Sequence, residues 1–527
     1  MSTDSNMAID LAWQRVRSGA AGRGFIKHPF ELYLVETDLR NWLDKILSEI
    51  TNGLYQPSTI SIANVPKGKG AVRPGAWMAL RDRLVYTACI GTILPEIRRA
   101  LSWHDRTIDF SYPLSRNDTD VRWIVDDFKA WQRFREASIA FLTGKAYVVL
   151  ADITGYYENV DLATLSSDLR TAGAKDETMH LLTTCLNRWA QVTGRGIPQG
   201  LAASDILGKL YLNAVDRLLY QQGYLHVRYV DDIRIFCSDN SEAKRALMEL
   251  SEFLRRRGLN IQSAKSVIRR ADDARLEIDG ITPILEDVRK RYIADLSELL
   301  GVEGYVAPHT MEAMLTQEDG ETPIEVLRET YKAYFIDADP YKFDKTLFRF
   351  LVKRLGKAKD RFALDHCRTI LERQPQETES VLAYAKAIGA ANDIEPTLAM
   401  FVESKDAVYD YQLYQIFEWV TDVLKPPGHS LVQSARVRAF DGHHPQYLRV
   451  ICKKLLAEHG NSTDLERLEH SYANTNSAFE QAEIMCCLRK MERVRRNAFL
   501  KRAEGDGEWN RAAAQWVREQ KSDPIMV

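Results

Sequence analysis

The stretch RYVDDIRIF, Arg228 to Phe236, constrains the fold of this chain more than any other. Apolar and charged residues alternate on both sides of Asp231 and Asp232, and that period belongs to half-buried strands. The two runs read as a β-hairpin with the aspartates at its bend. Tight hairpin bends favour Asn-Gly, Asp-Gly or Gly-Gly, because they need positive φ. Asp-Asp also sets two like charges side by side. Folding alone gains nothing from the pair, so the charges themselves call for a role.

A second carboxylate suggests one. In KAYVVLADITGYYENVDLATL, a strand from Tyr147 to Ala151 runs straight into Asp152. A charge at the end of a buried strand is costly unless it is paired or bound to metal. Two strands that deliver carboxylates to one place make a site for Mg²⁺, or for Mn²⁺, with hard oxygen ligands and room for a phosphate-bearing substrate. A pair of such ions about 4 Å apart activates a hydroxyl nucleophile and steadies a leaving pyrophosphate. Asp152 would bridge the ions, Asp231 would be the second ligand, and Asp232 would support them. A helix-capping Asp and an acidic turn are the plainer alternatives for each motif taken singly.

The rest of the chain sets bounds. Its 527 residues are 45% hydrophobic, enough for two or three domains with their own cores. The net charge of −2 leaves polyanion contacts to local patches, such as Lys67–Lys69, Arg255–Arg257 and Arg269–Arg270. Seven scattered cysteines form no Cys-x-x-Cys pair, which fits a reducing cytoplasm, with Cys486 and Cys487 as buried thiols on a helix. There is no apolar run of about 18 residues, so no membrane span is expected. Up to about residue 285, strand-like runs alternate with helical stretches, as in a mixed α+β domain. Beyond about residue 300, amphipathic helices follow one another. Phe343, Leu347, Phe350, Leu351 and Leu355 share one face; so do Leu448, Ile451 and Leu455, with Pro445 at the first helical position and Gly460 at the stop. The division expected is 1–285 and 286–527, the second part an all-α, HEAT-like helical repeat. His443 and His444 lack metal-ligand partners and read as capping or surface residues.

The order of segments carries a resemblance. VPKGKGAVRPG is a basic turn before a helix. The Asp152 strand follows, then the loop GRGIPQG opening a long helix, then the Tyr-Val-Asp-Asp hairpin, then GLNIQSAK. Together, over about residues 55 to 270, they resemble the reverse transcriptase family. The resemblance implies a right-hand polymerase fold with fingers and palm. It implies metal ligation by Asp152, Ile153, Asp231 and Asp232. It makes Tyr157 a sugar gate that excludes ribonucleotides, and Gln199 and Gly200 contacts to the incoming dNTP. Lys67, Lys69 and Arg73 would hold the triphosphate, and Lys265 would act as general acid to the pyrophosphate.

The departures are as informative. Where the family usually shows Ser-x-x-Ser-Pro after Pro-Gln-Gly, this chain has LAASDIL and keeps only Ser204. DFSYPLSRND lacks the usual Gly-Phe-Arg, and no thumb motif follows Lys265. A polymerase core followed by helical repeats resembles bacterial abortive-infection reverse transcriptases. That narrower resemblance implies a cytoplasmic antiphage enzyme making single-stranded DNA without a template, primed from a tyrosine of the protein and covalently attached to it. It also implies assembly as a trimer or hexamer, and an RNA partner is compatible with it. A conventional RNA-templated reverse transcriptase and a non-catalytic scaffold are the alternatives.

Overall fold

The computed structural model describes residues 3–19, 24–125, 127–279, 284–285, 287–288, 323–339 and 342–520. It divides into two compact units. The first comprises residues 1–27, 38–63 and 74–279; the second comprises 28–37, 64–73 and 280–527. The first is a mixed α/β region and the second is built mostly of helices.

The first unit is organised around a four-stranded antiparallel sheet. Strands β1 (Ser61–Lys67) and β2 (Ala71–Trp77) form a separate two-stranded ribbon. The main sheet contains β3 (Tyr147–Ala151), β4 (Leu225–Tyr229), β5 (Asp232–Cys237) and β6 (Val267–Arg270), in the order β4-β5-β3-β6. β3 is a short run of β-branched and aliphatic residues, suited to a central position between two partners. Val148 lies opposite Phe236, and both belong to a core with Val227, Phe134, Leu142 and Ile278. The helices Asp127–Leu142 and Ala271–Asp279 supply the other side of that core. The alternate residues Val149 and Ile235 are also fully buried, so the sheet is covered on both faces. The helices Ala202–Gln221 and Asn240–Arg256 also pack against it. Asp239 starts the latter by accepting a hydrogen bond from the Glu242 amide at 2.8 Å.

In the second unit, helices pack on the next or the next but one in the chain, as Asp410–Val423 does on Gln446–His459, each burying its apolar face. The helix Lys345–Lys357 buries Leu347, Phe348, Leu351, Val352 and Leu355. Its buried stripe therefore runs through Phe348 and Val352. Phe350 lies at the margin, with Arg354 over its ring at 5.6 Å. Pro445 stands just before the helix Gln446–His459, not at its first position, and Gly460 ends it as expected. His444 Nδ1 lies 2.8 Å from Asp410 Oδ1, which gives it a surface ion-pair role. All seven cysteines are buried and reduced. No described helix is long and apolar enough to cross a membrane.

Candidate active site

Sheet register brings the carboxylates together. Ala151 lies opposite Ile233, so the next pair along is Asp152 with Asp232. On the other side Leu150 lies opposite Val267, and Lys265, in the turn just before that strand, reaches Asp152 with its side chain. Directly opposed residues of an antiparallel pair project from the same face. Asp152 and Asp232 thus continue the row that begins with Val148 and Phe236. The apolar part of the row anchors the sheet, and the charged part emerges at its end.

The hairpin itself differs from the sequence expectation in one respect. Tyr229 pairs with Asp232, so the bend is Val230-Asp231 and Asp232 is the first residue of β5. Val230 takes φ of 57°, a left-handed conformation that is rare for a β-branched residue. Strain of this kind costs on the order of 1–3 kcal/mol and persists where surroundings enforce it. The enforcing group is Arg228, whose Nη1 donates to the Val230 carbonyl at 3.1 Å.

Arg228 projects on the reverse side of the hairpin from the aspartate row, one residue out of phase with Tyr229. It is fully buried. Its Nη2 donates to Asp109 Oδ2 at 2.7 Å and to Asp216 Oδ2 at 2.6 Å. Lys209, also buried, lies 3.1 Å from Asp109 Oδ2 and donates to the Ser111 carbonyl at 2.6 Å. His104 Nε2 sits 3.2 Å from Asp216 Oδ2. Burial pushes the Asp109 carboxyl up, but Arg228 and Lys209 outweigh it and hold it below the usual range. The same contest, decided by Arg228 with His104 and with His226, whose Nε2 lies 3.6 Å from Asp216 Oδ1, holds Asp216 well below it. His104, Asp109 and Asp216 offer ligand atoms within 4.8 Å of one another, a spacing capable of coordinating a divalent ion. Their oxygens already face Arg228 and Lys209, so buried side-chain cations here supply the positive charge an ion would bring.

The aspartate row is different. Lys265 Nζ donates to Asp152 Oδ2 at 2.5 Å, and Arg234 Nη2 donates to Asp232 Oδ2 at 3.1 Å. Arg234 is itself wedged between the Phe134 ring, at 4.2 Å, and Ser138 Oγ, at 3.0 Å. Burial raises the Asp232 carboxyl above the ordinary range, against the pull of Arg234, and Asp152 adds to the rise. A third of the Asp232 side chain (35%) still reaches solvent. A desolvated carboxylate facing a second carboxylate, with an open side, fits a divalent cation by its donor chemistry. Ile153 follows at the strand end, buried and bridged to Ile261.

Tyr157 opens a 3₁₀ turn and is buried; its hydroxyl donates to Asp205 Oδ1 at 2.7 Å and lies 3.5 Å from the Tyr112 hydroxyl. Burial, then the Asp205 charge, drives the Tyr157 hydroxyl far above the ordinary phenol range. Tyr112 has φ of 43°, a second strained residue beside the same ring. The Gln199 carbonyl accepts from the Ala76 amide at 3.2 Å. Gly200 has φ of 102°, and a Cβ there would meet the Phe25 ring at 2.9 Å. The ring fills the space beside this glycine, so its backbone and its packing both require the absence of a side chain. Lys67, Lys69 and Arg73 belong to the second unit, whereas the aspartates, Tyr157, Gln199, Gly200 and Lys265 belong to the first. The roles of Arg228, Arg234 and Asp205 escaped the sequence reading. For Arg228 and Arg234 the sequence signal is a charge inside the apolar runs of β4 and β5, whereas Asp205, on the helix Ala202–Gln221, carries none.

Known proteins resemble this chain over part of its length. A family described as "Reverse transcriptase (RNA-dependent DNA polymerase)" matches residues 65–302. Protein YkfC of Escherichia coli (strain K12) is 25% identical over 194 residues, 36% of this chain and 46% of YkfC. The chain thus spans under half the length of that relative. Solved structures of Candida telomerases align loosely. The Candida albicans enzyme with a telomeric RNA fragment covers 75% of this chain and 69% of its own, at 12% identity and a TM-score of 0.30. The apo Candida tropicalis enzyme covers 92% and 74%, at 11% and 0.30. Scores this low carry no argument about the fold. The family match establishes that a reverse-transcriptase-like domain occupies part of the chain.

Proposed function

We propose that the first unit is a metal-dependent nucleotidyltransferase that joins dNTPs into DNA, and that it copies RNA as a conventional reverse transcriptase. The observation that carries this reading is the register that sets Asp152 directly opposite Asp232, beside Asp231 in the bend. A divalent ion held by Asp152, Asp231 and Asp232, with the Ile153 backbone alongside, would polarise the primer hydroxyl and the triphosphate. The protein's own contributions follow from its geometry. Arg228 holds the strained bend that presents Asp231. Arg234 orients Asp232 and offsets part of the like-charge repulsion. Lys265 reaches Asp152 now and is placed to donate a proton toward departing pyrophosphate. Tyr157, fixed by Asp205, would leave no room for a ribose 2′-hydroxyl.

The match to an RNA-dependent family favours templated synthesis over the template-independent, protein-primed reading. Of the tyrosines in the helical half that could prime, Tyr292, Tyr305 and Tyr341 lie outside the described residues, Tyr331, Tyr411, Tyr414 and Tyr447 are buried, and Tyr334 and Tyr409 are partly exposed. The deciding experiment supplies Mg²⁺ and labelled dNTPs with an RNA template and DNA primer, with template alone, and with neither. Each product is run with and without protease. Primer- and template-dependent free DNA is expected. Label that moves with the protein in the arm lacking both, and is released by protease, would replace this reading with protein priming.

A further inference from the structure

The second unit contains a cavity of about 490 Å³ that the polymerase chemistry leaves unused. Three consecutive helical elements build it. Phe440 follows the helix His429–Arg438; Arg449 and Lys453 project one turn apart from Gln446–His459; Arg467, His470 and Ser471 line one face of Ser462–Ala473. Its size lies within the range of small-molecule sites.

Its charge is unbalanced. Lys453 Nζ lies 2.9 Å from Glu480 Oε1, and Arg449 Nη1 lies 3.3 Å from that same oxygen. Two cations therefore share one carboxylate oxygen, and Lys453 is almost wholly buried while doing so. Arg449 Nε is buried with no hydrogen-bond partner among the described residues. The next carboxyl, Glu483, is a weakened counter-ion, because burial and the neighbouring Glu480 push it up to about 8, and the cavity lining itself carries Arg449, Lys453 and Arg467 against the one acid Glu466. Glu466 is the acid on the cavity wall, and Arg495 takes it at 2.8 Å. Asp464 at the same helix start is taken by Arg436 at 2.6 Å, and Arg467 adds to the pull on its carboxyl. Arg467 adds a further positive charge, its guanidinium 4.5 Å from the centre of the Phe440 ring. Lys453 is the buried member of this group and Arg449 is a quarter exposed, so a shared carboxylate leaves the lysine short of counter-charge, a cost that an anion in the cavity would offset.

We infer that this cavity binds a nucleotide, with Arg449, Lys453 and Arg467 on its phosphates and the polar wall around Ser471 on its nucleoside. Arginine forks and a lysine point charge match phosphate oxygens. The volume exceeds what phosphate alone fills, and the exposed side of the Phe440–Arg467 pair offers a flat surface to a base. The inference lies wholly within the helical unit and does not rest on the polymerase reading.

The test is calorimetric titration of the full chain with ATP in EDTA, which removes the divalent metal needed at the aspartates. Saturable one-site binding is expected, with adenosine inert and pyrophosphate weaker than ATP. Arg467→Glu, a change at an exposed position, should weaken ATP by about tenfold or more, the worth of one charge-assisted contact. Its melting temperature should match the wild type's, and Arg467→Lys should restore most of the affinity. Lys453→Met supplies a second, buried probe and should also weaken binding. Absence of saturable binding, or equal affinity in Arg467→Glu, would overturn the site. Equal affinity for pyrophosphate and ATP would overturn the nucleotide assignment.

Discussion

Lys265 Nζ and Asp152 Oδ2 lie 2.5 Å apart, so the lysine occupies an oxygen that the proposed metal site would use. More than half of the Lys265 side chain is exposed (54%), and exposed ion pairs contribute little to stability. A divalent cation can therefore displace the ammonium at low cost and leave it free to serve as an acid. Lys265→Ala should have opposed effects on two measured quantities. The Mg²⁺ concentration at half-maximal activity should fall, because a competing cation is gone. The maximal incorporation rate should also fall, by about a hundredfold or more if general acid help is lost. A variant in which both quantities are unchanged would remove Lys265 from the site.

Asp232 provides a cleaner test of the metal assignment than its removal would. Burial already works against its charge, and Arg234 depends on it for a partner. Asp232→Asn keeps an oxygen for Arg234 and removes the charge. Thermal denaturation in EDTA should show a melting temperature equal to or above that of the wild type. Incorporation of dNTPs in Mg²⁺ should fall to background. With Asp231→Ala added, the same pattern should hold. Near wild-type incorporation by the double variant would sink the carboxylate assignment.

The gate prediction depends on Asp205, the residue that stands where the family usually has proline. Its carboxylate accepts from the Tyr157 hydroxyl at 2.7 Å. Tyr157→Ala should raise the relative use of ribonucleotides by vacating the ring's volume. Asp205→Ala should raise it less, by releasing a ring that stays in place; a single hydrogen bond is worth about 1 kcal/mol. Steady-state incorporation of rNTP against dNTP distinguishes the two. A Tyr157→Ala variant with the wild-type ratio would place the gate elsewhere.

Arg228 should be essential to the fold and to metal affinity by separable routes. Breaking a buried ion pair costs about 3–5 kcal/mol, so Arg228→Met should unfold or melt far below the wild type. Arg228→Lys retains the charge but not the fork that spans Asp109, Asp216 and the Val230 carbonyl. It should fold with a lowered melting temperature, and the Mg²⁺ midpoint should rise as the bend carrying Asp231 relaxes. An unchanged midpoint in a destabilised variant would limit Arg228 to a structural role.

What could be read in advance follows from where each signal resides. β4 and β5 are legible because their alternation is local, β3 because its apolar run is, and the meeting of Asp152 with the Asp231–Asp232 hairpin because charge interrupts apolar strands. The helical half is legible as helix, but the seam of Lys345–Lys357 shifts from Phe350 to Phe348 because neighbouring helices decide which side is covered. The Arg228 network is not legible. Its members are 12 and 119 positions apart in the chain, and a strand arginine facing inward looks identical to one facing water. The bend was misplaced by one residue for a related reason: propensity argues against valine at positive φ, and only the buried arginine behind it overrides that. Likewise, Lys67, Lys69 and Arg73 lie on the two-stranded ribbon β1–β2, where the sequence suggested only a basic turn before a helix, and their grouping with the second unit depends on contacts no local pattern encodes.

Glu483 should make the stability of the protein depend on pH in a predictable direction. Its carboxyl is buried, with Glu480 raising it and Gln446, Lys453 and Arg449 pulling it back, to about 8. His28 Nδ1 also faces it, at 3.8 Å. In the unfolded chain the same carboxyl ionises in the ordinary range, well below neutrality. Between those two values the folded state holds a proton that the unfolded state has released. Stability therefore falls as pH rises from about 5 to about 8, and this contribution levels off above the folded value. Glu483→Gln removes the titration while keeping an oxygen and a similar shape. Melting curves from pH 5 to pH 9 should show the wild type losing stability more steeply than the variant, with the variant the more stable of the two at pH 9. Parallel curves would mean that the folded and unfolded states bind this proton equally, and that Glu483 is charged in the native protein.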